Sequence, residues 1–291
     1  MKSANEIRDG AWRLLWHTRW LNRFVFLIVA FSFIRYFAIN LAVSLLGSSS
    51  ALNERLMAAE NLQDLIAVLR EPYYLRSFLL MMALALFVAM IIDSVASYGL
   101  SRIRLSVAKS GDAENWQRKA FSGFRDPLGM FALEMLHGIF VWWPIALIVL
   151  PSMTYFFAHL LLLGKFSPLF LVALPFSIIS IVAYYRYRQA WFIKAAHSDW
   201  SPLKCLRESN RMMAGHKWQC FLIDCAFWRP ITFMLTVVLT AVILSLVGAP
   251  SILTFISTLL ITALNLYLGS YIPLGQAIFH LELPQPGEAE K

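Results

Sequence analysis

The chain of 291 residues is too apolar for a water-soluble fold, because 59% of its residues are hydrophobic and only 14% are charged. A formal net charge of +8 is also typical of nucleic-acid binding, but here the basic residues lie in short loops beside apolar stretches. Membrane orientation and anionic headgroups account for such a pattern. We therefore expect an integral membrane protein whose main partner is the lipid bilayer, with no nucleic-acid partner.

Six apolar stretches are long enough to form transmembrane helices, since about 20 helical residues cross the ~30 Å hydrocarbon layer. The third and fifth apolar blocks exceed one span, so part of each should lie along an interface. The sequence thus predicts an all-α polytopic bundle that forms a single integral membrane domain. The predicted spans are approximately residues 24–46, 77–100, 136–161, 168–185, 226–247 and 251–278.

The distribution of lysine and arginine gives these spans an orientation. With both termini and the loops after the second and fourth spans placed in the cytoplasm, 19 basic residues lie inside, 4 outside and 2 within spans. Because cytoplasmic loops are enriched in lysine and arginine, this orientation is the predicted one. The first span is too long for a typical signal peptide, so we expect it to be retained.

Segments outside the spans have the pattern of amphipathic helices that lie on the membrane surface. Trp12, Trp16 and Trp20 recur every four residues and so share one helical face, where they either meet the lipid boundary or pack on neighbouring spans. Ser201 and Pro202 begin another such helix. The predicted interfacial helices are approximately residues 3–20, 51–69, 112–123 and 202–214.

A weak internal repeat appears when the chain is shifted by 86 residues. The shift aligns Tyr98 with Tyr184, Arg102 with Arg188, Trp142 with Trp228 and Pro144 with Pro230. Each unit contains an inward span, a basic cytoplasmic segment and an outward span with an aromatic-proline site. We interpret the pattern as a direct repeat, which occurs in transporters and is equally suited to a scaffold.

One stretch of the chain has a distinctive series of motifs. They are Tyr184-Tyr185, Asp199, Gly215-His216-Lys217-Trp218, Phe221-Leu222-Ile223-Asp224 and Phe227-Trp228. With Phe121-Ser122-Gly123-Phe124, this series resembles the bacterial membrane family catalogued as domain of unknown function 975. The resemblance implies a multi-span helical protein of the bacterial inner membrane and carries over no catalytic or ligand residue.

Three acidic residues, Asp93, Glu134 and Asp224, lie in apolar stretches, where a charge is costly and usually serves a function. One interpretation is a cation or proton site that opens to the cytoplasm, with Arg35 or Arg229 as its counter-charge. The other, which the length of the apolar blocks favours, leaves Glu134 and Asp224 at headgroup level and only Asp93 in the hydrocarbon.

Basic residues at the predicted cytoplasmic ends of the helices are candidates for contact with anionic lipid headgroups. Together with neighbouring lysines and arginines, they would form a basic collar at that end of the bundle. The candidates are Arg13, Arg19, Arg102, Arg104, Arg186, Arg188 and Lys194.

The chain contains none of the common enzyme motifs, such as a Walker glycine loop or a nucleophile elbow. Glu134 and His137 have the spacing of carboxylate-bridged di-metal sites, but the second copy that such a site needs is missing. We therefore expect no catalytic site, cofactor or bound metal, and reduced thiols at the three cysteines. The predicted function is a non-catalytic scaffold or a component that interacts with lipids or with a membrane or cytoplasmic protein. The alternative is a small transporter or channel with an inward-facing acidic site at the repeat interface.

Overall fold

The computed structural model describes residues 2–46, 72–155, 170–227 and 251–284, together with residues 231, 232, 235, 236 and 238. All regular structure in these ranges is helical, which confirms the predicted all-α class. The predicted interfacial helix 51–69, most of the predicted span 226–247, and Arg229 lie outside the described residues.

Two short irregular segments join or extend the described helices. A 3₁₀ segment, Phe121–Arg125, follows α4, and a π-helical segment, Ile145–Val149, extends α5 as far as Tyr155. The α-helices are α1 (Ala4–His17), α2 (Trp20–Leu46), α3 (Pro72–Ser110), α4 (Trp116–Ala120), α5 (Pro127–Pro144), α6 (Phe170–Tyr187), α7 (Ala190–Ala196), α8 (Pro202–Met212), α9 (Lys217–Ala226) and α10 (Ser251–Glu282).

Three helical stretches in the described residues are long and apolar enough to cross a membrane. They are Trp20–Ala42, Leu79–Ser110 and Pro127–Tyr155, with mean hydropathies of 2.1, 2.4 and 1.8. The 39 residues of α3 span about 58 Å at 1.5 Å per residue, more than the ~40–45 Å of a whole bilayer. The helix is therefore longer than a bilayer is thick, and its basic end extends ten residues past the predicted end of that span.

The N-terminal helix α1 packs along the C-terminal part of α10, from Glu282 back to Tyr267. Ser3 and Glu6 form a reciprocal capping box that starts the helix. Ile7, Ala11 and Leu15 recur every four residues and are fully buried, on the side where α1 packs against α9 and α10. The apolar face of α1 is thus buried in the protein.

The three tryptophans predicted to share one helical face belong to two helices. Thr18 and Arg19 lie between α1 and α2 and interrupt the helix. Arg19 has a left-handed backbone conformation with φ of 58°. Trp20 therefore begins α2 and is buried, whereas Trp12 and Trp16 are 46% and 51% exposed. The prediction of one helix through residue 20 did not anticipate this break, because neither glycine nor proline marks it.

Two glycines allow the α4–3₁₀ connector to lie directly against the backbone of α3. A Cβ atom on Gly99 would come within 1.9 Å of the Ala120 carbonyl oxygen, and one on Gly123 within 2.9 Å of the Val95 carbonyl oxygen. Asn115, whose left-handed φ of 52° is tolerated by asparagine, precedes α4. This packing brings the basic side chains of the connector beside the end of α3.

The helices α6, α7 and α8 form the second half of the predicted repeat. Ser201 caps α8, whose bounds agree closely with the predicted helix 202–214. The Ser209 hydroxyl accepts a hydrogen bond from the Gln189 backbone N–H at 3.2 Å and donates one to the Arg186 carbonyl at 3.1 Å. These bonds hold α8 against the turn between α6 and α7.

Candidate functional site

A buried ion pair joins the α6–α7 turn to α9. Arg188 Nη1 lies 2.7 Å from Asp224 Oδ2, and Nη2 donates to Oδ1 at 3.0 Å. The side chains are only 13% and 20% exposed. Such a two-point contact with a carboxylate is the strongest geometry available to arginine.

Neutral side chains complete the environment of the Asp224 carboxylate. The Tyr185 hydroxyl donates to Oδ2 at 3.0 Å, and Gln276 Nε2 donates to Oδ1 at 2.7 Å. Oδ1 therefore accepts one bond from Arg188 and one from Gln276. Oδ2 accepts a bond from Tyr185 and lies in ion-pair contact with Arg188 Nη1, which donates to the Tyr184 hydroxyl at 2.6 Å. Because the donors come from α6, α10 and the α6–α7 turn, this Asp224 cluster connects four parts of the bundle and has the character of a structural ion pair.

The cluster also includes an aromatic contact that recurs in the first half of the predicted repeat. The Arg188 guanidinium carbon lies 4.8 Å from the centroid of the Tyr184 ring, and that of Arg102 lies 5.7 Å from the Tyr98 ring. These are the residues that the 86-residue shift aligns. The corresponding Trp228 and Pro230 lie outside the described residues.

A second charged pair lies between α2 and α3. Arg35 Nη1 lies 3.1 Å from Asp93 Oδ2, and the two side chains are 45% and 52% exposed. Glu134 on α5 is close enough to Asp93 for an electrostatic interaction. Arg35 is thus the counter-charge of Asp93, whereas Asp224 pairs with Arg188 rather than with Arg35.

The three acids predicted to form one inward-facing site therefore fall into two separate environments. Asp93 and Glu134 lie in the α2–α3–α5 region, and Asp224 is bound within the α6–α9–α10 region. A common site was one of the two interpretations of the sequence, but a place in an apolar stretch does not by itself bring side chains on different helices together. Within the described ranges, no group of three or more His, Cys, Asp or Glu residues has the arrangement of a metal site.

Three of the residues that were predicted to contact lipid headgroups instead contact other parts of this protein. Arg104, 8% exposed, donates to a backbone carbonyl of α10 at 2.8 Å. Lys194, 3% exposed, donates to the carbonyls of Ser198 and Trp200 at 2.8 and 2.7 Å. The α7–α8 segment covers Lys194, and α10 covers Arg104, so neither side chain is free to contact lipid. Together with Arg188 in its ion pair, these two cations stabilise the bundle.

The other candidates for headgroup contact retain accessible surface. Arg13 and Arg19 are exposed, and Arg102 and Arg186 are half-buried. Arg102 lines a surface pocket of about 370 Å³ whose other cations, Arg118 and Arg125 among them, come from the α4–3₁₀ connector. The sequence prediction did not single out these connector residues, since their approach to Arg102 depends on the glycine contacts described above.

Comparison with protein-family models, with curated proteins and with solved structures finds no match for this chain. The resemblance of residues 184–230 to the domain of unknown function 975 family therefore stays a prediction.

Proposed function

We propose that this chain is a non-catalytic, multi-span protein of the bacterial inner membrane that organises anionic lipids or a protein partner through its cytoplasmic helices. The observation that carries the proposal is the exposure of Trp12 and Trp16 on α1. Trp12 packs edge-on against Tyr267 and Tyr271 of α10, yet about half of each indole stays exposed beside the fully buried face of α1. Exposed tryptophans beside arginine, here Arg13, are typical of a helix at the membrane boundary.

The closed environment of Asp224 supports a structural role over transport. A transported ion needs ligand atoms that are free to coordinate it, whereas both oxygens of this carboxylate already contact Arg188 and each accepts a hydrogen bond from a neutral side chain. The proposed topology has six spans with both termini in the cytoplasm, and the charge distribution supports it. In that arrangement α1, the α4–3₁₀ connector and α8 form a basic layer at the inner surface.

Lipid selectivity in nanodiscs tests this proposal. We expect the full-length protein to enrich spin-labelled phosphatidylglycerol over phosphatidylcholine in its lipid shell, with the preference falling as salt is raised. Phenylalanine at positions 12 and 16 should reduce quenching of protein fluorescence by lipids brominated near the headgroup. The matched control is Trp200→Phe, because Trp200 stacks on His197 at 4.2 Å within the protein. Equal binding of the two lipids would contradict the proposal.

A small transporter or channel is the second candidate, and the Arg35–Asp93 pair favours it. This pair is about half exposed on two helices long and apolar enough to cross a membrane, where charges need water or another polar group. Proton or cation flux into proteoliposomes would be the readout, with Asp112→Asn as a control outside the apolar segment. Flux that Asp93→Asn abolishes and Asp112→Asn preserves would establish transport, and flux indifferent to Asp93→Asn would exclude this site.

A further inference from the structure

The pocket between the end of α3 and the α4–3₁₀ connector has an unusual concentration of positive charge. Four cations and one carboxylate line it, so its formal charge is +3. The lining residues are Arg102, Glu114, Asn115, Arg118, Lys119, Ser122 and Arg125.

These cations have no ion-pair partner in the part of the chain that the structure describes. Among the described residues, none of the four lies within 4.0 Å of a carboxylate oxygen, although Lys119 Nζ donates to Ser106 Oγ at 2.9 Å. Another surface pocket, lined in part by Lys2 and Glu6, contains a cation that is paired. There Lys2 is paired with Glu282 at 2.7 Å. Like charges held close together without a counter-ion favour an anionic ligand.

The backbone of the connector fixes the position of this charge. Contacts of Gly99 and Gly123 place α4 and the 3₁₀ segment directly on α3. The backbone positions of Arg118 and Arg125 beside Arg102 are therefore set by the fold. A preformed arrangement reduces the ordering cost of binding.

The pocket also lies where two apolar helices end. Arg102 follows the most apolar part of α3, and α5 begins at Pro127, immediately after the connector. Phe121 and Phe124 extend from the same connector, are exposed, and lie 6.3 Å apart between ring centroids. Cations next to exposed aromatic rings at a helix end match the two parts of a lipid, its charged headgroup and its acyl chains.

We propose that this pocket binds a phosphate-bearing anion with at least two negative charges, of which a lipid headgroup with two phosphates is the form that the flanking phenylalanines favour. Three net positive charges exceed what a headgroup with a single charge neutralises. Phosphate oxygens accept planar, two-point contacts from arginine, which Arg102, Arg118 and Arg125 supply. The proposal rests on the proposed lipid-binding function and gives it a defined site.

The test uses full-length protein in phosphatidylcholine nanodiscs titrated with cardiolipin, which carries two phosphates. Arg118→Gln with Arg125→Gln removes two exposed charges from the pocket without disturbing buried contacts. Lys204→Gln with Arg207→Gln removes the same charge from the exposed side of α8 and is the matched control. We expect the pocket variant to bind cardiolipin at least tenfold more weakly than wild type, and the control to change less than threefold.

The outcomes separate the site from the function on which it rests. Equal losses in the two double variants, or no loss in the pocket variant, would overturn the pocket while the preference for phosphatidylglycerol over phosphatidylcholine persists. If the wild-type protein showed no preference for phosphatidylglycerol over phosphatidylcholine, the proposed function itself would be overturned. Inorganic pyrophosphate added to detergent-solubilised protein distinguishes the source of the phosphate. Tight binding of pyrophosphate that the pocket variant loses would support the phosphate site and assign it to a soluble anion instead of a lipid.

Discussion

Arg188 binds both carboxylate oxygens of Asp224, a residue 36 positions further along the chain, at 2.7 and 3.0 Å. This contact fixes α9 against the α6–α7 turn, and Gln276 attaches the same carboxylate to α10. Three parts of the chain that are distant in sequence thus depend on one carboxylate.

Asp224→Asn should strongly destabilise the protein. The substitution removes the negative charge but leaves the Arg188 cation buried, which typically costs about 3–5 kcal/mol. The control is Asp112→Asn, whose pair with Arg23 is exposed and worth at most about 1 kcal/mol. Thermal unfolding of the purified protein measures both. Addition of Arg188→Gln to Asp224→Asn should restore part of the loss, and equal stability of the two single variants would contradict the structural role.

Gly99→Ala should destabilise the protein although alanine favours helices by about 1 kcal/mol over glycine. The new methyl group would lie 1.9 Å from the Ala120 carbonyl oxygen, and overpacking of this kind costs about 1–3 kcal/mol or more. Gly138→Ala on α5 is the matched control, because its Cβ meets nothing within 4 Å. We expect a lower unfolding temperature for the first variant and an unchanged or higher one for the second. A stabilised Gly99→Ala protein would show that the connector does not pack on α3 as described.

The three cysteines should differ in reactivity. Burial raises the pKa of the Cys205 thiol to about 11, so very little thiolate is present at neutral pH. Cys220 is also buried, whereas Cys225 is exposed. A water-soluble maleimide at pH 7 should therefore modify Cys225 first and the other two only after unfolding. Mass spectrometry of the labelled peptides would measure this order, and Cys225→Ser should abolish early labelling.

Acid should weaken the fold through His280, which lies beyond the predicted end of the last span. Burial, with His197 nearby, lowers the pKa of His280 to about 4, from an ordinary value of 6.5. The unfolded chain therefore takes up a proton first as the pH falls below 6.5, and the folded state loses stability from there to about pH 4. At pH 5 this loss amounts to about 2 kcal/mol.

Unfolding measurements at pH 7 and pH 5 test the role of His280. The fall in stability should be smaller in His280→Gln than in wild type or in His216→Gln, which alters a half-buried turn residue. An identical fall in all three proteins would assign the acid sensitivity to other groups.

Local signals in the sequence predicted where helices begin better than they predicted which helices contact each other. Ser201 and Pro202 start α8 as expected, because capping depends only on neighbouring residues. The break at Arg19 was missed, since a left-handed arginine has no sequence signature. The three membrane-length helices overlap the first, second and third predicted spans, although the third begins nine residues earlier than predicted.

Site prediction was limited for a related reason. Acids in apolar segments were recognised, and the pairing of Arg35 with Asp93 was among the expected alternatives. The pairing of Asp224 with Arg188, and the binding of Arg104 and Lys194 to backbone carbonyls, depend on which helix covers which end. Composition and spacing contain no information on that arrangement.

The uninterrupted length of α3 has a mechanical consequence. Asp93 and Arg102 lie nine residues apart on one continuous helix, about 13 Å along its axis. A rigid rod transmits tilt along its whole length, so a rearrangement that separates Asp93 from Arg35 would also displace Arg102. Conversely, an anion that fixes the basic end of α3 would restrain the Arg35–Asp93 pair at a distance, without touching it.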